Sequence, residues 1–592
     1  MTTRESLQIV ELDIERCSLT YGVGDCTAVL GTTGVRKCFN CYYGCQDKEN
    51  FATSTETLRF ARNQGGINRQ DRVYPALQSV STNPIAINLG GVSDRTSGLG
   101  KRARVRVSLK DFADSDLWFD RYQAERVDGT AQTDEGGYNP LERGTFFGKL
   151  RQRFPYYVGR KLRVKEGYVG DDIATMRTRN YVVTDWSGPD AAGNVTITAS
   201  DVLDLADEKK AQAPKPSAGR IDQDLAETGL PTFDLLPATV GDEYPATGTA
   251  MIGKEIVTFT RSGDAVTITA RAQGGSEASN HDADDAFQLC YVANGDNIAT
   301  VASDLLVNYA DIDASYIDLA EWATEVQRWL LNYNMSTIIT KPTGVADLLS
   351  ELAQFGVMWW WDDQAEQIRM RANRPLDFDE TAADLTDSAT LIEDRIGVQD
   401  LAAERVSRVM MYHGVIDYSG DTDKGDNFKR VSVAIDDAAE SEFEYNQTQT
   451  REIYTRWLGL TGDDAVAAPA TSRILNRYRD TPRKISFEYD VKNESEVAVA
   501  SPVTVRTRFL QDDTGQSLPV QMQITSIEET IPGHRLKAMA QSYQFAARYG
   551  FITENSRPDY GASTDEQKRK GTYIVDEATL EFSDGSGPYL MF

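Results

Sequence analysis

The chain has 592 residues, 40% of them hydrophobic, and a net charge of −28, so it is long enough for several domains with separate cores. No run of about 18 apolar residues occurs, so we expect no membrane-spanning segment, and the N-terminus lacks the apolar stretch of a secretory signal. The acidic balance argues against a protein that reads DNA by sequence, because an anionic surface repels phosphates.

The charge is unevenly distributed along the chain. Residues 1–180 hold 27 Lys and Arg against 22 Asp and Glu, whereas the remaining residues hold 35 against 68. Two interpretations stay open at this point. The acidity is either a solvated surface suited to a salty medium or the lining of a conduit that DNA passes without sticking.

The first predicted elements are strands. Val105, Val107 and Leu109 alternate with polar residues in KRARVRVSLKDF, which is typical of a half-buried strand. Further strands are predicted in RKLRVKEGY, RNYVVTDW and NVTITAS, with Gly-rich turns between them. The prolines of AQAPKPSAG then predict a linker.

A second β unit and a mixed region follow. TAMIGKEIVTFTRSGDAVTITARAQGG predicts two strands around a Ser-Gly-Asp turn, and the apolar period then becomes helical in IATVASDLLVNY and LAEWATEVQRWLLNYN. A further helix, Gly356 and two strands are predicted next. In the first of these strands, we expect one or two of the rings of Trp359, Trp360 and Trp361 to face the core rather than to bind carbohydrate.

The sequence therefore predicts a mainly β, multidomain chain with α+β insertions. Residues 395–545 again read mostly as strands, and a polar tail follows them. The predicted boundaries are a cysteine-rich segment at 1–72, a first β-barrel-like domain at 73–215, a small β insert at 216–296, a small α/β domain at 297–394, a second β-barrel-like domain at 395–551 and an extended C-terminal arm at 552–592.

No catalytic motif stands out in the sequence. There is no Gly-rich phosphate loop and no G-x-S-x-G motif, and the chain has three histidines. We expect His281 to lie in a solvated loop, His413 in a strand and His534 in a turn. The residues thus give no support to an enzyme.

Five of the six cysteines lie within 29 residues, at Cys17, Cys26, Cys38, Cys41 and Cys45. Disulfides are disfavoured in the reducing cytoplasm where we expect the chain to fold. Zinc and an iron–sulfur cluster both stay open, because zinc ribbons normally show two C-x2-C pairs and this run has one, whereas clusters accept looser spacing. Arg36 and Lys37 are expected to offset the charge of the thiolates.

Four N-terminal motifs resemble the baseplate hub, or tail-tip hub, of long-tailed bacteriophages and gene transfer agents. They are ERCSLTYGVGDCTA, KCFNCYYGCQDKENF, LGKRARVRVSLKDF and GTFFGKLRQRFPYYVGRKLRVKEG. The β insert and the C-terminal AARYGFITENSRPDYG resemble parts of the same proteins. The resemblance covers nearly the whole chain.

The resemblance implies a structural virion protein that is not an enzyme. Such a hub would be assembled in the host bacterial cytoplasm and located at the virion tail tip. Two β-barrel-like domains per chain would give a homotrimer with six barrels, matching a six-fold tail tube. The implied partners are a distal tail or tail-tube protein, the terminus of the tape-measure protein and a central spike or fibre, with DNA only in transit.

The resemblance also implies an occupant for the cysteine run. In relatives an iron–sulfur cluster is the implied occupant, and Thr stands where this chain has Cys41. The implied ligands are therefore Cys17, Cys26, Cys38 and Cys45, holding a 4Fe–4S cluster, with zinc as the second choice. The competing interpretations are an iron–sulfur or zinc-dependent redox enzyme and a carbohydrate-binding adhesion module.

Overall fold

The computed structural model describes residues 5–68, 70–89, 99–330, 333–374, 382–387, 389–392, 395–459, 464–490, 497–531, 535–542 and 564. The predicted C-terminal arm at 552–592, apart from residue 564, and the predicted turn at His534 lie outside the described residues.

The first sheet is an eight-stranded, mostly antiparallel structure that nearly closes on itself. The strands of this region are Ser6–Cys17 (β1), Thr53–Ala61 (β2), Val73–Tyr74 (β3), Leu77–Asn83 (β4), Ile85–Ala86 (β5), Arg104–Lys110 (β6), Lys161–Tyr168 (β7), Arg177–Ser187 (β8) and Asn194–Ser200 (β9), with helices Gln123–Asp128 (α1) and Phe146–Arg153 (α2). Their order is β3-β2-β1-β7-β8-β9-β6-β4, and β4 at one end contacts β2 near the other. The predicted alternation in β6 is confirmed, since Val105, Val107 and Leu109 all point into the core.

This sheet crosses residue 72, the predicted end of the cysteine-rich segment. The long strand β1 pairs with β2 on one side and with β7 on the other, so strands from before and after residue 72 share one sheet. They also share one hydrophobic core, which includes Val10 of β1 and Val164 of β7.

Residues 220–289 form a sheet and a core of their own. A short strand, Gln212–Ala213 (β10), precedes this sheet and is not part of it. The strands of the sheet are Arg220–Ile221 (β11), Thr232–Leu236 (β12), Thr247–Ile252 (β13), Glu255–Ser262 (β14), Ala265–Ala270 (β15) and Phe287–Leu289 (β16). The sheet order is β11-β12-β15-β14-β13-β16, and the predicted Ser-Gly-Asp turn joins β14 to β15. The expectation that His281 lies in a solvated loop was wrong. The His281 side chain is buried, and its Nε2 lies 2.8 Å from the carboxylate of the buried Glu255.

The mixed region has the predicted helices, the two predicted strands after Gly356 and three strands that the sequence did not predict. They are Tyr291–Asn297 (β17), Ile298–Asp304 (α3), Leu319–Trp329 (α4), Asn334–Ile339 (β18), Thr343–Gly344 (β19), Val345–Ala353 (α5), Val357–Asp362 (β20) and Gln367–Ala372 (β21). A π-helical turn, Leu305–Tyr309, continues α3. Trp359 and Trp361 of β20 are buried in the core and Trp360 is partly exposed, so core packing of this triplet is confirmed.

The last region contains two sheets. Its elements are Ala383–Thr386 (β22), Gly397–Asp400 (β23), Arg408–Val415 (β24), Phe428–Ile435 (β25), Thr450–Tyr454 (β26), Asp464–Tyr478 (α6), Arg483–Asp490 (β27), Pro502–Arg506 (β28), Val520–Ile531 (β29) and Arg535–Ser542 (β30). One sheet has the order β22-β28-β29-β30-β27-β23, with β5 added on β29, and the other is β25-β24-β26. His413 is in strand β24, as predicted, and is buried.

Contacts between distant parts of the chain join these regions. The short strand β5, from the first region, pairs with β29 of the last one. The Tyr478 hydroxyl donates to the carbonyl oxygen of Leu89 at 2.5 Å, and one core extends from Leu99 to Tyr478. The predicted fold class, mainly β and multidomain with α+β insertions, is confirmed. No helix in the described ranges is long and apolar enough to span a membrane.

Candidate metal centre

The cysteine run is the connection between β1 and β2. Cys17 ends β1 and lies opposite Thr53, the first residue of β2, so residues 18–52 leave and re-enter the same end of the sheet. Asn40 hydrogen-bonds the middle of this connection to the end of β1 and the residues just after it. Its carbonyl accepts from the Cys17 N–H at 2.8 Å, and its side-chain Nδ2 donates to the Leu19 carbonyl at 3.0 Å. Its φ of 54° is in the left-handed region, which Asn tolerates better than most residues.

Two arginines hold the segment around Phe39. The guanidinium carbons of Arg126 and Arg153 lie 3.7 and 4.1 Å from the centroid of the Phe39 ring. Arg126 Nη2 also donates to the carbonyl oxygens of Lys37 and Cys38, each at 3.1 Å. Arg126 is itself fixed by the Asp120 carboxylate at 2.5 Å, in an ion pair whose side chains are 1% and 0% exposed. Helix α1 and its flank therefore position the backbone next to Cys38.

Arg36 and Lys37 each have a carboxylate partner. Arg36 makes a two-point contact with Asp134, with the shorter distance at 2.6 Å, and Lys37 Nζ lies 2.6 Å from Glu125. These cations are therefore paired with carboxylates that approach from the 125–135 segment. Local sequence patterns do not reveal these pairs, because the carboxylates are about ninety to a hundred residues away along the chain.

All five thiols of the run take part in electrostatic interactions with one another. All six cysteines are free. Burial raises the pKa of Cys38 to about 11, and the neighbouring Cys45, Cys41 and Cys26 act in the same direction. Burial also raises the pKa of Cys45, with further contributions from Cys17 and Cys26. The loop thus brings Cys38 within electrostatic range of Cys26, Cys41 and Cys45, and it brings Cys45 within range of Cys17.

Cys41 has different surroundings. It is 2% exposed, and burial raises its pKa. The hydrogen bond with Gly44 and the positive charges of Arg153 and Arg16 oppose that rise. Cys41 therefore lies within range of α2 and β1, the elements that carry these two arginines.

The donor set fits a soft metal group in ligand type. Thiolates are the ligands of iron–sulfur clusters and of structural zinc, and four free thiols lie on one connection. Within the ranges that the structure describes, no three His, Cys, Asp or Glu side chains converge closely enough to hold a metal ion. Cluster binding at these residues would release thiol protons, because the ligands bind as thiolates.

A groove that the sequence did not predict adjoins the run. Pairing of β1 with β7 ends at Leu12, and the side of β1 beyond it borders a groove whose walls include Tyr42, Tyr43, Tyr156 and Tyr157. Both carboxylates in its lining are ion-paired, with Asp13 bound to Arg163 at 2.6 Å and Glu15 bound to Arg160. The only sequence signal for this groove is the pair of Tyr-Tyr doublets.

No protein-family model and no curated protein matches the chain. Among solved structures, it is similar to a tail protein from Neisseria meningitidis MC58, with a TM-score of 0.35 and 8% identity over 75% of this chain and 89% of that chain. It is also similar to the 43 kDa tail protein of prophage MuSo2 from Shewanella oneidensis, with a TM-score of 0.33 and 10% identity over 78% of this chain and 97% of that one. A third neighbour is a Francisella PdpA–VgrG complex, with a TM-score of 0.32 and 7% identity over 100% of this chain and 66% of that chain. Two of these three neighbours are tail proteins.

Proposed function

We propose that this chain is a structural protein of a virion tail tip, a trimeric hub that closes the distal end of a tail tube and forms part of the DNA-ejection channel. The observation that carries the proposal is the cysteine connection. Its motifs resemble those of tail-tip hubs, and it carries five free thiols on and next to one connection, which joins β1 to β2 at one end of the first barrel-like sheet.

The proposed role of the cluster is to cross-link the connection. Apart from isolated bridges, residues 18–52 contain no strand or helix, and Val23, Val29 and Val35 are exposed. Such a segment buries little apolar surface of its own, so a metal group held by Cys17, Cys26, Cys38 and Cys45 would supply stability that packing does not. This is a structural use of a 4Fe–4S cluster, with zinc as the second choice.

The trimer is proposed from the two large sheets, the eight-stranded sheet of the first region and the seven-stranded sheet that contains β29. Three chains would present six similar sheets to a six-fold tube, and a closed ring avoids endless polymerisation. The proposed neighbours are a distal tail or tail-tube protein, the tape-measure terminus and a central spike or fibre. Part of the acidic charge after residue 180 would line the channel, since a basic lining would bind DNA through its phosphates.

The cofactor is tested on protein purified without oxygen. We expect a brown protein with visible absorption and about four irons per chain. Serine at Cys17, Cys26, Cys38 or Cys45 should bleach the absorption and expose residues 18–52 to protease. Cys41→Ser should do so only weakly, and Cys290→Ser, a buried thiol outside the run, is the matched control. Stoichiometric zinc without colour would overturn the iron–sulfur assignment.

The hub is tested on the assembled particle. Electron microscopy should show three copies in a ring at the distal end of the tail, and Asp and Glu should be denser along the lumen than on the outer wall. A monomer under all assembly conditions, or a position away from the tail tip, would contradict the proposal.

An iron–sulfur or zinc-dependent redox enzyme is the alternative, and the tyrosine-lined groove beside the cysteine run is what favours it. A variant that fills the groove with a larger side chain distinguishes the two functions. Tyr43→Trp should leave particle infectivity unchanged if the protein is structural. A redox enzyme predicts that a small-molecule electron donor reduces and bleaches the chromophore in wild type, that an added electron acceptor then re-oxidises it, and that the donor no longer reduces it in this variant.

A further inference from the structure

An apolar row lies on the exposed face of strand β25. Val431, Val433 and Ile435 alternate along the strand and are 45%, 48% and 44% exposed. The opposite face of the same sheet contributes Val409 and Met411 of β24 to the large core, and α6 packs against it. The outward row is therefore not part of the core of the chain.

The same strand is an edge. In the part of the chain that the structure describes, β25 pairs with β24 and with no second strand. The N–H of Asp436, which follows the strand directly, donates to the Ser407 carbonyl on the β24 side. Successive residues of a strand point their N–H groups to opposite edges. The N–H groups of Val431, Val433 and Ile435 therefore point to the edge of β25 that faces away from β24.

Most natural edges are protected by an inserted charge, a proline or a bulge. The five residues 431–435 have the sequence Val-Ser-Val-Ala-Ile, which contains neither a charge nor a proline. An open edge of this composition is a template for another strand.

The charges at the two ends of β25 have opposite sign. Lys429 precedes the uncharged run and Asp437 follows it, whereas the intervening Asp436 is already paired with Arg479 at 2.8 Å. A strand with this pattern is complementary to its own antiparallel copy, because each basic end then meets an acidic end.

We propose that β25 pairs in antiparallel fashion with β25 of a second copy of this chain, with Val433 opposite Val433. In this register Val431 lies opposite Ile435, and Lys429 lies opposite Asp437. The register also places the residues whose N–H groups face the open edge directly opposite each other, which is the hydrogen-bonded arrangement of an antiparallel pair. The contact joins two three-stranded sheets into one of six strands around a two-fold axis.

This contact is independent of the proposed hub trimer. A two-fold contact of this kind uses the same patch on both chains and closes after two copies. In a three-fold ring it would therefore join two rings, so the isolated protein should form an assembly with twice the mass of the basic unit.

The test is a charge exchange, measured by sedimentation over a range of protein concentrations. Lys429→Asp places like charges opposite each other twice across the two-fold axis, so we expect the dissociation constant of the doubled species to rise about tenfold or more. The double variant Lys429→Asp with Asp437→Lys restores opposite charges, and the doubled species should return. Lys424→Asp, an exposed lysine outside the strand, is the matched control.

A second variant tests the centre of the contact. Val433→Lys brings two like charges together on the axis and should abolish the doubled species while leaving the basic unit and the far-ultraviolet circular dichroism unchanged. Absence of a doubled species in wild type would overturn the proposal. Failure of the charge exchange to restore it, or an edge occupied by a different protein in the particle, would do the same.

Discussion

Two buried glutamates face each other where the first sheet contacts the last one. The side chains of Glu166 in β7 and Glu529 in β29 are each 3% exposed, and they contact each other directly. The charged and polar groups that face them are Gln8 of β1, Arg177, Arg179 and Tyr181 of β8, and Asp363 of the turn between β20 and β21. Three carboxylates share two guanidiniums, so one carboxyl has no cation to balance it.

A proton on Glu166 resolves this imbalance. Glu166 Oε2 is buried and accepts no hydrogen bond, whereas a protonated carboxyl could donate to Glu529. Burial, followed by the contact with Glu529, raises the pKa of Glu166 from 4.5 to about 8. A group whose pKa is raised by folding adds stability that is complete below its unfolded pKa and is lost as the pH rises through the folded value.

We therefore predict that the contact between the two sheets weakens between pH 4.5 and pH 8. Each pKa unit corresponds to about 1.4 kcal/mol, so the full difference between pH 4.5 and pH 8 is on the order of 5 kcal/mol of unfolding free energy. Glu166→Gln keeps a side-chain donor toward Glu529 and removes the titration. The variant should thus lose less stability than wild type over this interval.

The assay is urea unfolding of the wild type and of Glu166→Gln at a series of pH values from 5 to 9. Glu528→Gln, the neighbouring glutamate on β29, is the control and should follow the wild type. Equal pH dependence in wild type and Glu166→Gln would refute the reasoning. It would mean that both glutamates are ionised in the folded protein throughout.

Three further predictions concern single side chains. Arg126→Ala leaves the buried Asp120 unpaired and should cost about 3–5 kcal/mol, with faster proteolysis of residues 18–52, whereas the exposed Arg143→Ala should change little. Trp359→Ala opens a cavity in the large core and should lower unfolding free energy by about 3–5 kcal/mol in denaturant titrations. Burial raises the pKa of Glu255, but hydrogen bonds with Arg271, His281 and backbone N–H groups outweigh it and lower the pKa from 4.5 to about 2. The ionised Glu255 should therefore stabilise the folded state above pH 4.5, and this stabilisation should be lost as the pH falls toward 2. Hydrogen exchange in the 220–289 sheet should report this loss, and Glu255→Gln should remove it.

The sequence by itself determined the features that depend on neighbouring residues. The alternation in β6, the helices after residue 297 and the inward rings of Trp359 and Trp361 follow from local periodicity, which a single strand or helix is enough to express. The grouping of five thiols was equally visible, because they are close along the chain.

Only the tertiary structure decided which distant side chains meet. His281 looked solvated among its acidic neighbours, yet folding carries Glu255 to its ring. Arg126 reaches the Phe39 ring and the backbone beside Cys38 across almost ninety residues, and Glu529 reaches Glu166 across more than three hundred. Such contacts leave no periodic signal in the sequence. They arise because the closed sheets and the common core determine where remote segments lie. Each buried charge is then paired with a group from one of the segments packed against it.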